Sequence, residues 1–262
     1  MIRAAVLGSP ISHSLSPRIH RKAYEILGIA ADYQAVELDE NSFPSFFAAN
    51  SGDSWSGFSL TMPLKEVAFD VATSVDERTK RINSANTLYR SGTNWSATST
   101  DLLAFENLLS VPADARVAII GGGGTARAAA GALNSKISSL DVLLRNPERI
   151  TAISQAAPDL SINICEMSAP LAGYDLIIQS TPLGAFDEYV DALRSTEGRL
   201  LECLYKPWPT PLVSRFTELG GSVISGKELL VEQALFQIKL FSQLEFNFNE
   251  MRSALLEHIE EN

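Results

Sequence analysis

Short continuous apolar runs alternate along this chain with longer stretches in which apolar residues recur every three or four positions. That alternation is the pattern of an α/β protein with largely parallel sheets. The runs predict strands at 2–7, 32–38, 57–60, 85–89, 115–120, 140–144, 175–178, 199–203 and 222–224, with helices between most of them. One helix is bracketed by its own signals: Ser16 suits the N-cap, Pro17 the first helical position and Gly28 the stop after Leu27. A helix-like stretch carrying Leu102, Leu103, Phe105, Leu108 and Leu109 runs into Val111-Pro112-Ala113-Asp114, a short turn before a new strand, and we place a domain junction there. From Leu229 to Ile259 the spacing is helical, with a break around Phe246-Asn247-Phe248-Asn249. A last helix that packs back on the first domain makes that domain discontinuous. The expected division is 1–103 plus 237–262 against 104–236.

Composition narrows the function classes. The 262 residues, 45% hydrophobic and 20% charged, suffice for one large domain or two ordinary ones. A formal net charge of −10 argues against binding a phosphate backbone, so no nucleic-acid partner is expected. Any anionic ligand must be met by a local feature. Cys165 and Cys203 are isolated, which predicts buried spectators and neither a zinc site nor a dithiol. The run Ala4-Ala5-Val6-Leu7 ends at Gly8-Ser9-Pro10, too short for a signal-peptide core, and no apolar stretch is long enough to span a bilayer. We expect a cytoplasmic protein without a membrane partner.

The strand Arg116-Val-Ala-Ile-Ile120 leads directly into Gly121-Gly-Gly-Gly-Thr-Ala-Arg-Ala128. Gly121, Gly123 and Ala126 fit G-x-G-x-x-[GA] at a strand-to-helix turn, where missing side chains let the backbone approach a pyrophosphate at a helix N-terminus. A tight turn alone is the bland alternative. An Ala-rich helix and a second strand, Leu140-Asp-Val-Leu-Leu144, follow and favour dinucleotide binding. An acid after that second strand selects NAD by holding the ribose 2′-OH. Here Arg145 stands there, with Arg149 four positions on, and both offer a cation to a 2′-phosphate. NADP is the expected cofactor, although both arginines also read as solvated surface charges.

In the first half, Ser14 and Ser16 are two apart, so an extended segment points both hydroxyls to one side. Beside a helix N-terminus they make a seat for a carboxylate, and capping alone also accounts for Ser16. Thr61-x-Pro63-x-Lys65 follows a strand, and taken alone Lys65 reads as a surface lysine. Ser84-Ala-Asn-Thr-Leu88 and Ala97-Thr-Ser-Thr-Asp101 each put polar groups at one end of an expected strand.

Taken together, Ser14-x-Ser16-Pro17, Thr61-x-Pro63-x-Lys65, Ala85-Asn86-Thr87, Thr100-Asp101, Gly121-x-Gly123, Tyr205-x-Pro207-Trp208-Pro209-Thr210-Pro211-Leu212 and Gly226-x-x-Leu229-Leu230-x-x-Gln233 resemble the shikimate dehydrogenase family in order and spacing over nearly the whole chain. The resemblance implies an N-terminal α/β substrate domain completed by a C-terminal helix, a Rossmann-type NADP domain, and an active site in the cleft between them. It implies a catalytic Lys65–Asp101 pair and substrate contacts at Ser14, Ser16, Thr61, Asn86, Tyr205 and Gln233. Cofactor contacts then fall on Gly121, Gly122, Gly123, Gly124, Thr125, Ala126, Arg145, Arg149, Thr181, Gly226 and Leu229. The implied substrate pair is shikimate and 3-dehydroshikimate, with no metal and a monomer or homodimer as the assembly. Lys65 is a proton donor or an electrostatic anchor; sequence leaves both open. A quinate/shikimate enzyme using NAD and a catalytically silent regulatory protein are the alternatives. Ser59, Ser99, Asn146, Glu202 and Leu229 depart from residues usual in the family, and Asn146 lacks a Thr hydroxyl expected beside the phosphate.

Overall fold

The computed structural model describes residues 1–52 and 54–260. Its contacts divide the chain into two compact units, Met1–Leu103 with Leu230–Asn262, and Ala104–Leu229.

The first unit begins with β1 (Ile2–Gly8), α1 (Ser16–Ile26), β2 (Ala31–Glu37), α2 (Phe43–Asn50) and β3 (Gly57–Leu60). It continues through β4 (Ser74–Val75), α3 (Glu77–Ile82), β5 (Thr87–Ser91), β6 (Asn94–Thr98) and α4 (Thr100–Leu108), in which the first division falls. The sheet order is β2-β1-β3-β5-β6-β4. Apart from Arg3, β1 is apolar and buried because β2 and β3 flank it in parallel and both its faces are covered. The sheet is mixed, since β5 runs antiparallel to β3 and β6. The expected strand at 85–89 therefore starts two residues late, which leaves Asn86 at the mouth of β5. Strand β4 and most of β6 escaped the sequence pattern because they are short or carry polar residues, as in Asn94-Trp-Ser-Ala-Thr98.

The second unit contains β7 (Val117–Ile120), α5 (Gly124–Leu133), β8 (Ser139–Leu143), α6 (Ile150–Ala156), β9 (Ser161–Cys165), β10 (Leu176–Gln179), β11 (Arg199–Glu202), α7 (Pro211–Glu218) and β12 (Ser222–Ile224). All strands pair in parallel in the order β12-β11-β10-β7-β8-β9. Chain progression reverses between β7 and β10, the switch point at whose carboxyl end a Rossmann-type sheet binds its ligand. β9 was not expected: it is an edge strand, largely exposed, and so lacks an apolar run.

Two helices close the chain, α8 (Gly226–Ser242) and α9 (Phe248–Glu260). The second division falls inside α8, because Val231, Ala234, Leu235 and Ile238 enter the core built by Ile19, Ala23, Tyr24 and Tyr33. Met251, Leu255 and Ile259 of α9 join the same core. Glu232, fully buried, is held by two bonds from Arg252, at 2.5 Å and 3.0 Å, so α9 is tied to α8 by charge as well as by apolar burial. Among the described residues no helix is long and apolar enough to cross a membrane, and no group of three or more His, Cys, Asp or Glu is placed to hold a metal.

Candidate active site

Lys65 Nζ donates to Asp101 Oδ2 at 2.7 Å, and both side chains are largely withdrawn from solvent. Asp101 lies in the first turn of α4, where the helix dipole favours a carboxylate. Ser99 makes the N-cap contact for that helix: its Oγ accepts from Leu102 N–H at 3.3 Å. Serine is as good an N-cap as the asparagine usual in the family, so this departure keeps a side chain able to cap α4.

Asn86, 2% exposed, holds the other carboxylate oxygen: its Nδ2 donates to Asp101 Oδ1 at 2.8 Å. The amide cannot be flipped, since Oδ1 accepts from Thr100 N–H at 2.7 Å and a reversed amide would set donor against donor. Thr100 Oγ1 and Gln233 Oε1 also lie within 2.9 Å and 3.2 Å of Asn86 Nδ2. Thr100 Oγ1 can pass its own hydrogen to Gln233 Oε1 only at 3.5 Å, the long limit of a hydrogen bond, so that amide oxygen keeps acceptor capacity to which a ligand hydroxyl could donate. A cation, a carboxylate and a surplus acceptor on a rigid frame suit an oxygen that gains negative charge while a neighbouring hydroxyl is held. Lys65 and Asp101 are brought together by Ala85 and Asn86, because Ala85 N–H bonds the Lys65 carbonyl at 2.8 Å.

The remaining expected substrate residues are placed less tightly. Residues 11–14 form a turn, with Ser14 N–H on the Ile11 carbonyl, so Ser14 and Ser16 do not stand on an extended strand as expected. Ser16 is the first helical residue and not the N-cap; Ser14 Oγ instead accepts from Ser16 N–H at 3.3 Å. Pro17, one place later than expected, needs no N–H there, and the chain tightens into the helix before the serine can cap it. The far end follows expectation: Gly28, at φ +67°, closes a Schellman-type stop with Gly28 N–H on Glu25 O and Ile29 N–H on Tyr24 O. Thr61, half-buried, packs its methyl group over Gly8. Tyr205, also half-buried, belongs to the second unit, whereas Gln233 belongs to the first.

The glycine-rich turn sits at the carboxyl end of β7. Gly121, at φ +114°, adopts a conformation that side chains rarely take, and a Cβ there would come within 2.7 Å of Ser180 Oγ. At Gly122 a Cβ would meet Leu144 Cδ2 at 2.8 Å and Arg149 Cβ at 2.9 Å. At Gly123 it would meet open space, and no side chain caps α5, which starts at Gly124-Thr125-Ala126. The turn therefore presents main-chain donors and the positive end of a helix to an open side, which fits a dinucleotide pyrophosphate. Thr181, buried at the end of β10, is fixed by bonds from its N–H and Oγ1 to Gln179 Oε1, both 3.1 Å. Arg145 and Arg149 are exposed just past β8. Asn146 Oδ1 accepts from Glu148 N–H at 3.0 Å, which turns its amide NH₂ away from that cap. Gly226 approaches the main chain of Cys203 and Leu204 too closely to carry a side chain, and Leu229 is 7% exposed.

Sequence reading missed a buried polar group behind the pair: His20, Ser59, Thr87 and Gln237. The available signals were polar residues inside apolar patterns, Ser59 within Gly57-Phe-Ser-Leu60 and Gln237 four residues beyond Gln233 on α8.

Residues 6–88 match the model of the shikimate dehydrogenase substrate binding domain. The chain is 31% identical over 236 residues to shikimate dehydrogenase (NADP(+)) of Exiguobacterium sp., covering 87% of this chain and 88% of that one. Among solved structures, Mycobacterium tuberculosis shikimate dehydrogenase superposes with a TM-score of 0.89 at 31% identity, covering 98% of this chain and all of that one. The Thermus thermophilus enzyme in complex with NADP(H) and shikimate gives 0.84 at 26% identity, covering 98% and 100%. With a relative this similar over almost nine-tenths of its length, and with a switch-point glycine turn and a buried lysine–aspartate pair of its own, the chain belongs to the shikimate dehydrogenase family.

Proposed function

We propose that this chain catalyses the reversible NADPH-dependent reduction of 3-dehydroshikimate to shikimate, with Lys65 and Asp101 as its catalytic pair. The observation that carries the assignment of the pair is the 2.7 Å Lys65–Asp101 contact on a frame fixed by Asn86 and Thr100. NADPH, when bound, supplies a hydride to the substrate ketone. Negative charge then grows on the ketone oxygen, and Lys65 donates a hydrogen bond and a proton to it. Asp101 keeps the ammonium aimed, and its second oxygen, or Gln233 Oε1, takes the hydroxyl next to the reacting carbon. Ser14, Ser16 and Thr61 are hydroxyl donors for the carboxylate, the local anion site an acidic protein requires. Gly121–Gly123 and the start of α5 hold the pyrophosphate, while Arg145, Asn146 and Arg149 face the 2′-phosphate.

The direct test is the rate of NADP reduction with shikimate, run beside quinate and beside NAD. Efficient turnover with shikimate and NADP alone is the expected result. Equal kcat/KM for shikimate and quinate would remove the assignment to shikimate, because a site lacking a partner for the extra hydroxyl must discriminate against it.

A further inference from the structure

Behind Asn86 runs a buried chain of hydrogen bonds. Gln237, 1% exposed on α8, uses all four of its hydrogen-bonding positions. Its Nε2 donates to the Asn86 carbonyl at 3.1 Å and to Thr87 Oγ1 at 2.9 Å. Its Oε1 accepts from Ser59 Oγ at 2.7 Å and from His20 Nε2 at 3.2 Å. Each direction is forced by chemistry. A carbonyl only accepts, so the amide nitrogen faces Asn86; His20 must then carry its proton on Nε2 and accept from Tyr24 Oη, 3.2 Å away, on Nδ1. Tyr33 Oη donates to Ser59 Oγ at 2.6 Å, which sends the Ser59 proton toward Gln237. Tyr33 also stacks on the His20 ring, 4.0 Å between centroids. Burial holds His20 neutral, its pKa lowered to about 3, and raises Tyr24 and Tyr33 above their ordinary values. The cage around Gln237 thus keeps one protonation state across the working pH range.

We propose that Gln237 is a positioning residue for the Lys65–Asp101 pair, acting through residues 85–87. That segment touches both partners: Ala85 N–H holds the Lys65 main chain and Asn86 Nδ2 holds the Asp101 carboxylate. The Asn86 carbonyl is itself pinned from two sides, by Leu60 N–H at 2.7 Å and by Gln237. Removing the Gln237 donors frees one of those sides and releases Thr87 Oγ1, which is 3.1 Å from Asn86 Oδ1. A misplacement well under the length of a hydrogen bond is costly to a proton donor that must meet its acceptor in the transition state. The effect therefore falls on kcat and not on NADP binding. This inference rests on the reading of Lys65 and Asp101 given above.

The test is steady-state kinetics with shikimate and NADP on the full-length chain and on Gln237→Leu, Gln237→Met, Ser59→Ala, Thr87→Val and the Gln237→Leu/Thr87→Val double variant, each checked for native circular dichroism. We expect kcat to fall about tenfold in Gln237→Leu with KM for NADP held within about twofold, and the same substitution to cost only about threefold once Thr87→Val has broken the shared link. If Gln237→Leu does not fold, Gln237→Met, unbranched and of equal length, carries the test, and Ser59→Ala should lower kcat by about two- to threefold. An active wild type with kcat in both Gln237 variants within about twofold of it, or with losses that multiply independently of Thr87→Val, overturns the positioning role alone. A wild type inactive on shikimate overturns the proposed function and this inference with it.

Discussion

Asn86 in the first unit and Gly122 in the second are both buried, one with each polar atom of its side chain bonded, the other with no side chain at all. Around Asn86 the buried residues are Thr87, Thr100, Asp101, Gln233 and Gln237, each fixing the next. Around Gly122 the neighbours are Leu144 and the stem of Arg149, and what the turn offers is backbone. The first unit is specified by which groups are present, the second by which are missing. Substitution should therefore act by removing atoms in one unit and by adding them in the other.

The largest effect is expected at the pair itself. Lys65→Ala and Asp101→Asn should each lower kcat by on the order of 10²–10³ with the fold intact, since a donor to a developing oxyanion counts for more in the transition state than in the ground state. If Lys65→Ala changed KM and spared kcat, Lys65 would be an anchor and not the acid.

The converse experiment adds atoms. Gly122→Val should raise KM for NADP by at least about tenfold and cost about 1–3 kcal/mol of stability, because its Cβ has no room against Leu144 and Arg149. kcat at saturating NADP should move far less than in Lys65→Ala. A Gly122→Val protein with wild-type KM for NADP would show that the turn does not approach the cofactor.

A finer division lies between the two arginines. Arg145→Ala should raise KM for NADP by about tenfold and leave NAD unchanged, the loss of one charge-assisted hydrogen bond of about 1.5 kcal/mol. Arg149→Met keeps the stem that covers Gly122 and removes only the charge, so it separates packing from phosphate reading. Equal weakening of NADP and NAD by Arg145→Ala would show a residue that supports the loop.

The effect with least bearing on catalysis concerns stability. Glu202, fully buried at the end of β11, accepts from Leu204 N–H at 3.0 Å and Thr210 Oγ1 at 2.9 Å. Burial lifts its carboxyl from 4.5 to about 7, outweighing those bonds. The native state then holds a proton that the unfolded chain has released, so stability declines as pH rises from about 4.5 to about 7 and stays low above it. The decline attributable to this group is on the order of 3 kcal/mol at most. Denaturant unfolding of wild type and Glu202→Gln at pH 5 and pH 8 checks it: the difference between the two pH values should shrink in the variant.

Much of this frame is legible in the sequence, and unevenly so. The strand, glycine turn and helix from Arg116 to Leu133 could be read from periodicity and glycine spacing, because main-chain requirements leave local marks. The Lys65–Asp101 pair could not, since the residues are 36 apart and nothing in either segment names its partner; resemblance alone joined them. The Gln237 cage was invisible for the same reason, its bonds spanning as many as 217 residues to His20. Ser16 misled because local capping preferences do not foresee a turn that puts Ser14 in the accepting position. Antiparallel β5 could not be read either, since strand direction leaves no trace in alternation.

The helix α8 also has an evolutionary consequence. Leu229, Gln233 and Gln237 lie four apart on it, so with about 3.6 residues per turn they form a single row along one side. Inserting or deleting one residue between Gln233 and Gln237 would turn everything beyond by about 100° and carry Gln237 away from Asn86, Thr87, Ser59 and His20 together. Point changes can be absorbed one bond at a time; a change of length cannot. Length variation among descendants of this gene should therefore collect in the irregular 243–247 segment that follows, where Gln243 already breaks the helix at φ 57°, while the count of residues within α8 stays fixed.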